Sequence, residues 1–402
     1  MKITNLPAEF ENARPVLQTI EDAGYEAYFV GGSVRDTIMG LKIHDVDIAS
    51  SAYPAELKAL FKRTVDTGIE HGTVMVLDHG NGYEVTTFRT ESGYQDYRRP
   101  DKVEFIRSLP EDLKRRDFTI NALAMKENGE VIDLFDGLTD LKNHLIRAVG
   151  NPDTRFNEDA LRMMRAVRFA SKLNFAIDPN TMDAISRHSQ LLAKIAVERI
   201  NTEFVKMMLG SQPQRGLQDM LNTNMVAYVP VFNDYRSAIE TMIALPNFKL
   251  ANENQVWGLL SVMFGLQRNQ IAAMLKQWKA ANQTISATQK ITPAVNAFRD
   301  HKLSSVVLFD TGAERLKDSL AVANAIGINI DDQEVLHAYS QLPIKDDHEL
   351  AINGGVLIKS GVVNPGPDLG RVLKELKLAV INGTVQNDQS QLLATAKRLL
   401  NR

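Results

Sequence analysis

The sequence predicts an α+β protein, with a mixed sheet flanked by helices over residues 1–150 and an all-helical remainder. Three observations carry this. Short apolar runs bounded by glycines, the mark of strands, are confined to the first third. From about residue 152 that pattern gives way to long helical periodicities. The composition, 44% hydrophobic and 24% charged over 402 residues, suits an ordinary globular chain of two to three domains.

The elements follow in order. Residues 8–23 read as a helix, 26–31 (EAYFVG) as a strand ending in glycines, and 33–40 as a helix after the Gly pair. Residues 45–50 (DVDIAS) are strand-like, and 54–64 is helical with Pro54 in its first turn. Strands 73–78 and 83–88 flank His79-Gly80-Asn81-Gly82, a strong hairpin signal. The polar stretch 89–101 (RTESGYQDYRRPD) reads as a mobile loop. Helices are expected over 157–173, 180–189, 197–209, 235–245, 255–278 and 312–325. Residues 342–402 open with an irregular Gly- and Pro-rich stretch and end in two helices. His71, Trp257 and Trp278 read as structural or core residues.

Composition excludes several chemistries. With no cysteine there is no disulfide framework, thiolate zinc site, iron–sulfur cluster or cysteine nucleophile. The start MKITNLPAEF lacks a signal-peptide pattern, and the apolar runs fall short of the roughly 20 residues of a membrane span. The expected compartment is the cytoplasm. A net charge of −3 taken alone argues against a nucleic-acid partner. Locally the balance reverses: residues 98–116 carry Arg98, Arg99, Lys102, Arg107, Lys114, Arg115 and Arg116.

Four stretches carry chemistry. In Gly31-Gly32-Ser33-Val34-Arg35-Asp36 a strand ends and a helix begins, exposing backbone N–H groups that suit a phosphate. It is neither a Walker A nor a GxGxxG motif, and alone it also suits a plain turn. Asp45 and Asp47, two apart in a strand, share one face. Their mutual repulsion is relieved by cations, and two Mg²⁺ ions about 3.5–4 Å apart would clamp a phosphoryl transfer. In isolation the pair equally fits two solvent-facing aspartates. Glu84, on a later strand, offers a third carboxylate. In Lys114-Arg115-Arg116-Asp117-Phe118-Thr119-Ile120-Asn121, an arginine can fork onto triphosphate oxygens and Asp or Asn can reach a ribose hydroxyl. A solvated helix end would look the same.

The most informative stretch is Glu158–Arg168. On a helix, Arg162, Arg165 and Arg168 cover about 120°, and Asp159 and Arg162, at i and i+3, are neighbours. A basic helix face with one salt bridge is the plain reading. The chemical one is sharper. Asp159 only accepts and Arg162 only donates. Cytosine and adenine both present an amino donor beside an acceptor nitrogen, whereas uracil and guanine present the reverse. The pair would take C and A and reject U and G, with Arg165 and Arg168 left for phosphates or structure.

The Gly-Gly turn, the DxD strand and the later carboxylate resemble the DNA polymerase β superfamily of nucleotidyltransferases. The full set, GGSVRD, DVD, YEVTTFR, DYRRP, RRDFTINALA and EDALRMMRAVRF in that order, resembles the class II CCA-adding enzymes, the bacterial tRNA nucleotidyltransferases. The match runs through most of 25–210 and continues more weakly through Leu342–Lys345 and Ile352–Gly355. The resemblance implies a head (1–150), neck helices that recognise the base (151–225), a helical body (226–335) and a helical tail (336–402), the last two holding tRNA. It implies addition of C, C and A to the tRNA 3′ end from CTP and ATP. Carried onto matching positions, Asp45 and Asp47 bind Mg²⁺ and Glu84 takes the third-carboxylate place. Gly32 and Arg35 contact the nucleotide, and Arg116, Asp159, Arg162, Arg165 and Arg168 line its site. The 89–101 loop matches a flexible element needed for the final A, and the family's dimers allow a homodimer here.

Rival readings are specific. Bacterial poly(A) polymerases share the head but typically carry a Gly-Arg/Lys-Arg-Phe motif, where this chain has Thr67-Gly68-Ile69-Glu70-His71-Gly72-Thr73. A CC-only enzyme would lack most of the 89–101 loop, which is present with Asp96, Arg98 and Arg99. An A-adding specialist could use the same Asp159–Arg162 pair. A non-catalytic tRNA-binding protein would leave Asp45 dispensable, and the complete acidic and basic set argues against it. The only His-Asp pair, His44-Asp45, lies in the DxD motif, so no HD-type phosphohydrolase is expected.

Overall fold

The computed structural model describes residues 1–43, 45–95 and 99–400; His44, Asp96 and Arg98 lie outside them. The chain divides into two compact units, Met1–Arg236 and Ser237–Arg402.

The first unit opens with α1 (Ala8–Asp22), β1 (Ala27–Val30), α2 (Gly32–Ile38), β2 (Asp47–Ser50) and α3 (Pro54–Leu60). Strands β3 (Thr64–Gly68), β4 (Thr73–Asp78), β5 (Asn81–Thr87), β6 (Arg89–Gln95) and β7 (Arg99–Phe105) follow, then α4 (Leu109–Lys114), β8 (Leu123–Met125), β9 (Val131–Asp133), α5 (Gly137–Lys142) and β10 (Leu145–Ile146). Helices α6 (Pro152–Glu158) and α7 (Leu161–Leu173), β11 (Ala176–Ile177), and helices α8 (Pro179–His188), α9 (Val197–Met208) and α10 (Pro213–Asn222) complete it.

Seven strands form one mixed sheet in the order β3-β4-β5-β2-β1-β8-β9. Strand β1 lies antiparallel to β2 and β8, and β2 runs parallel to β5 with Ile48 opposite Val85. Helix α1 covers the sheet with a helical-period stripe of Phe10, Ala13, Val16, Leu17 and Ile20, all buried. Phe10 meets Phe29 of β1 edge-to-face at 4.7 Å. The expected β4–β5 hairpin forms but is tighter than the four-residue signal: only His79 and Gly80 turn, both with positive φ, 44° and 84°, as a type I′ turn needs, and Asn81 and Gly82 already belong to β5.

The second unit is helical: α11 (Arg236–Ile243), α12 (Glu253–Met263), α13 (Arg268–Gln277), α14 (Asn282–Arg299), α15 (Ser305–Thr311), α16 (Ala313–Ala325), α17 (Asp332–Ser340), α18 (Gly354–Lys359), α19 (Pro367–Ile381) and α20 (Gln389–Leu400). Gly258 lets α12 approach α14, since a Cβ there would come within 2.7 Å of Ile291. Trp257 and Trp278 are fully buried with rings 5.1 Å apart, core residues as expected. A separate apolar cluster, built on Leu357, Val372, Leu376, Val380 and Leu392, closes the C-terminal end. No helix among the described residues is long and apolar enough to cross a membrane.

Several expectations are corrected. The described residues of the 89–101 stretch are strands rather than loop: β6 and β7 form an antiparallel ribbon, with Arg89 opposite Phe105 and Gln95 opposite Arg99. A ladder is made by backbone groups, so a polar sequence can form one without apolar alternation. The helix read over 157–173 breaks at Asp159, whose φ of −135° and ψ of 102° are extended. The helix read over 255–278 breaks after α12 at Gly265, in the left-handed region with φ +66°. Strand β2 starts at Asp47, so Asp45 precedes it. Of the two readings of His71, structural or core, the core one fails: it is exposed in a 3₁₀ turn (Ile69–His71), where its carbonyl accepts from Arg89 Nη1.

Candidate active site

Where β1 ends, Gly31 turns the chain with φ +73° and α2 begins at once. A Cβ on Gly31 would stand 3.3 Å from Arg116 Nη1 and 3.9 Å from Asp47 Oδ2, so glycine here keeps an arginine and a carboxylate close together. Next to β1, Val46 and Ile48 point inward and are buried, while Asp45 and Asp47 are exposed. The one-face parity predicted for the two aspartates therefore holds even though only Asp47 belongs to the strand. The parallel register, one step beyond Ile48–Val85, brings Glu84 of β5 beside Asp47. Partial desolvation by the surrounding cleft and then the Glu84 charge push the Asp47 carboxyl up, although the residue stays solvent-accessible; Arg116 opposes them, and Asp45 adds a smaller push upward. These are three hard oxygen donors whose mutual repulsion a cation would relieve, which fits a divalent metal. Among the described residues no ready-made cage of three acidic or histidine side chains stands there. Mg²⁺ needs none, because it usually takes one or two carboxylates plus waters and substrate phosphates.

Facing the carboxylates is an arginine wall. Arg116 donates to Asp112 Oδ2 at 3.2 Å and to the Asn121 carbonyl at 3.3 Å. Arg35, 2% exposed, is pinned by Asp36 at 2.6 Å and Asn121 Oδ1 at 2.5 Å. Arg165 forks onto Asp117 at 2.5 and 2.7 Å, and Arg168 pairs with Glu203 at 2.5 Å. Arg35, Arg165 and Arg168 all lie over the Phe169 ring, at 5.0, 5.5 and 4.0 Å from its centre. Burial would raise the Asp117 carboxyl, but Arg165, Asn121 and the Phe118 N–H hold it down to about 2.

Asp159 and Arg162 flank the break between α6 and α7 instead of stacking on one continuous helix. Asp159 accepts from the Leu161 N–H and from Arg199 Nη2, both at 3.0 Å. Arg162 reaches Glu158 at 2.6 Å and the Arg115 carbonyl at 2.9 Å. The cause of the break is local: the Asp159 carboxylate caps the restarting helix.

Gly32, Arg35, Asp47, Glu84, Arg116, Asp159, Arg162, Arg165 and Arg168 all line one cleft of about 590 Å³. Asp45 lines an adjoining depression that shares Asp47 and Glu84 with it. Sequence reasoning missed Asp112, Phe169, Lys172, Arg199 and Glu203. Arg199 and Glu203 had a signal: at i and i+4 they share one face of α9, from which they grip Asp159 and Arg168.

A mixed sheet carrying paired carboxylates at the mouth of an anion-binding cleft defines a nucleotidyltransferase. Family models agree in order along the chain: the poly A polymerase head domain over residues 27–147, a probable RNA and SrmB-binding site of polymerase A over 174–235, and tRNA nucleotidyltransferase domain 2 over 248–396. The chain is 57% identical to the CCA-adding enzyme of Limosilactobacillus reuteri over 399 residues, 99% of each, and 55% identical to that of Limosilactobacillus fermentum over 400 residues, all of each. It superposes on the Bacillus stearothermophilus CCA-adding enzyme, solved in complex with CTP, with a TM-score of 0.90 at 38% identity over 98% of both chains. The chain belongs to the CCA-adding enzymes, a family of tRNA nucleotidyltransferases. This superfamily depends on divalent metal.

Proposed function

We propose that the cleft builds and repairs the 3′-terminal CCA of tRNA by joining CTP and ATP to the growing end with release of pyrophosphate. The observation that supports this is one cleft lined by Asp47 and Glu84 together with Arg35, Arg116, Asp159, Arg162, Arg165 and Arg168. The CTP complex of the Bacillus stearothermophilus enzyme supports a cytidine nucleotide as substrate. Asp45 and Asp47 would hold the metal, proposed to be Mg²⁺, with Glu84 beside them, and the chemistry it would supply is acidification of the tRNA 3′-hydroxyl and neutralisation of the triphosphate. Arg116 and Arg35, at the Gly31-Gly32 turn, orient phosphates. Asp159 accepts from the amino group of C or A while Arg162 donates to the neighbouring ring nitrogen, and Arg199 fixes the Asp159 carboxylate. Positioning and charge neutralisation supply most of the rate. Residues 1–150 act as the head, 151–225 as the neck, and 226–335 and 336–402 as body and tail gripping tRNA. The setting is cytoplasmic, and a homodimer is compatible.

The test incubates a tRNA lacking CCA with CTP alone, ATP alone and both. Two C's, then a single A only with both nucleotides, is the expected result. A long A tail from ATP alone would indicate a poly(A) polymerase. C's that never proceed to A would indicate a CC-adding enzyme, and A added only to a tRNA already ending in CC an A-adding one.

A further inference from the structure

One carboxylate in the cleft has no part in the scheme above. Asp112 of α4 is 1% exposed, yet it meets three groups. Its Oδ2 accepts from Arg116 Nη2 at 3.2 Å. Its Oδ1 accepts from Arg115 Nη2 at 2.8 Å, Arg115 Nε at 3.0 Å and the backbone N–H of Arg89 at 3.3 Å. Arg89 is the first residue of β6, so the two oxygens of one buried carboxylate serve two different sides: the nucleotide-facing arginine and the root of the β6–β7 ribbon. A second link runs parallel to the first. Arg115 Nη1 and Arg89 Nε both donate to Glu91 Oε1 on β6, at 3.2 and 2.9 Å.

Arg116 depends on this anchor. Among the described residues its Nε is buried without a hydrogen-bond partner, and its other side-chain hydrogen bond is the long one to the Asn121 carbonyl. Burial would raise the Asp112 carboxyl, but Arg115 and Arg116 outweigh it and keep it low, so it is a carboxylate at neutral pH. A buried carboxylate shared between guanidiniums restricts both, and losing it leaves buried charges uncompensated.

We infer that Asp112 is a positioning residue of the nucleotide site, holding Arg116 beside Asp47 and tying it, with Arg115 and Glu91, to the root of the β6–β7 ribbon. It rests on the reading of Arg116 as a phosphate-facing group. Nucleotide affinity then depends on Glu91, which lies outside the cleft lining.

The experiment uses the full chain and measures binding of magnesium–CTP by calorimetry without tRNA, then KM for CTP, KM for tRNA and kcat. Asp112→Asn is expected to weaken CTP binding about tenfold, as for a lost charge-assisted bond, with KM for tRNA unchanged. Glu91→Gln is expected to weaken CTP binding about threefold, and in the double variant to add less than it does alone, as for residues in one network. Unchanged CTP affinity in a folded Asp112→Asn, with Arg116→Ala impaired, would overturn the positioning role alone. Normal CTP binding by Arg116→Ala would overturn the site reading and this role together. Should Asp112→Asn not fold, Glu91→Gln decides: wild-type CTP affinity refutes the coupling, and a selective loss of CTP affinity supports it, since a merely structural defect would shift both KM values.

Discussion

Asp47 and Asp117 sit in one cleft and answer to opposite forces. Partial desolvation and a neighbouring glutamate raise Asp47, whereas Arg165 holds Asp117 down to about 2. Removing the charge of Asp45 or Asp47 as alanine should abolish CTP incorporation, by about a thousandfold or more, with the melting temperature unchanged; substantial turnover would refute their role. Asp159→Ala should admit UTP and GTP, read by incorporation with single nucleotides; intact discrimination would move base reading elsewhere. Asp117 also makes a pH prediction. Its folded pKa lies below its unfolded value, so its contribution, about 2 kcal/mol, is present above pH 4 and fades as pH falls toward 2. Asp117→Asn should therefore lower stability at pH 7 and flatten that acid limb in denaturant titrations. Asp219 of α10 has the reverse sign. Burial pushes its carboxyl up to about 6 against Arg215, and among the described residues its buried Oδ2 has no hydrogen-bond partner. Its favourable neutral form prevails below pH 4 and is lost as pH rises through 6. Asp219→Asn should raise the melting temperature at pH 8 and leave it nearly unchanged at pH 4.

At the scale of elements, what the sequence reveals divides by physical cause. The β4–β5 hairpin and the one-face parity of Asp45 and Asp47 are legible because turn chemistry and strand parity are local. The β6–β7 ribbon is not, because a backbone ladder leaves no mark in polar side chains such as Arg89, Thr90 and Glu91. The break at Asp159 is hidden too: the residue that looks like one member of an i, i+3 pair is the one that caps the next helix. Asp112 matters only through partners brought close by the fold, which no spacing within α4 announces; the i, i+4 spacing of Arg199 and Glu203 on α9 marks a shared face but not the partners, Asp159 and Arg168, that it grips. The Gly31 turn gives an element-level test. Gly31→Ala must hold φ +73° and ψ −133° with a Cβ 3.3 Å from Arg116, at about 1–3 kcal/mol of strain. Reduced CTP affinity in a folded protein is expected, and wild-type affinity would show that the gap between Arg116 and Asp47 is not needed.

For the whole molecule, a net charge of −3 conceals uneven placement. Eight cations line the cleft (Arg35, Arg89, Arg115, Arg116, Arg162, Arg165, Arg168 and Lys172) against five acids (Asp47, Glu84, Asp112, Asp117 and Asp159). Where charges lie, and not their sum, governs phosphate binding. The tRNA dissociation constant should rise steeply with salt, linearly on a log–log plot; a flat plot between 50 and 200 mM, a range over which polyelectrolyte contacts normally weaken by orders of magnitude, would argue against a backbone-gripping surface.

The pairing of these arginines has a consequence of its own. Arg35, Arg116, Arg162, Arg165 and Arg168 each already lean on a carboxylate of the chain, Asp36, Asp112, Glu158, Asp117 and Glu203 respectively. An arriving anion must compete with these resident acids as well as with water. A lone phosphate gains little by such an exchange, while a molecule offering a triphosphate and a matching base edge together gains at both ends. On the proposed reading the cleft then acts as a filter with a threshold, taking up a complete nucleotide in preference to small anions.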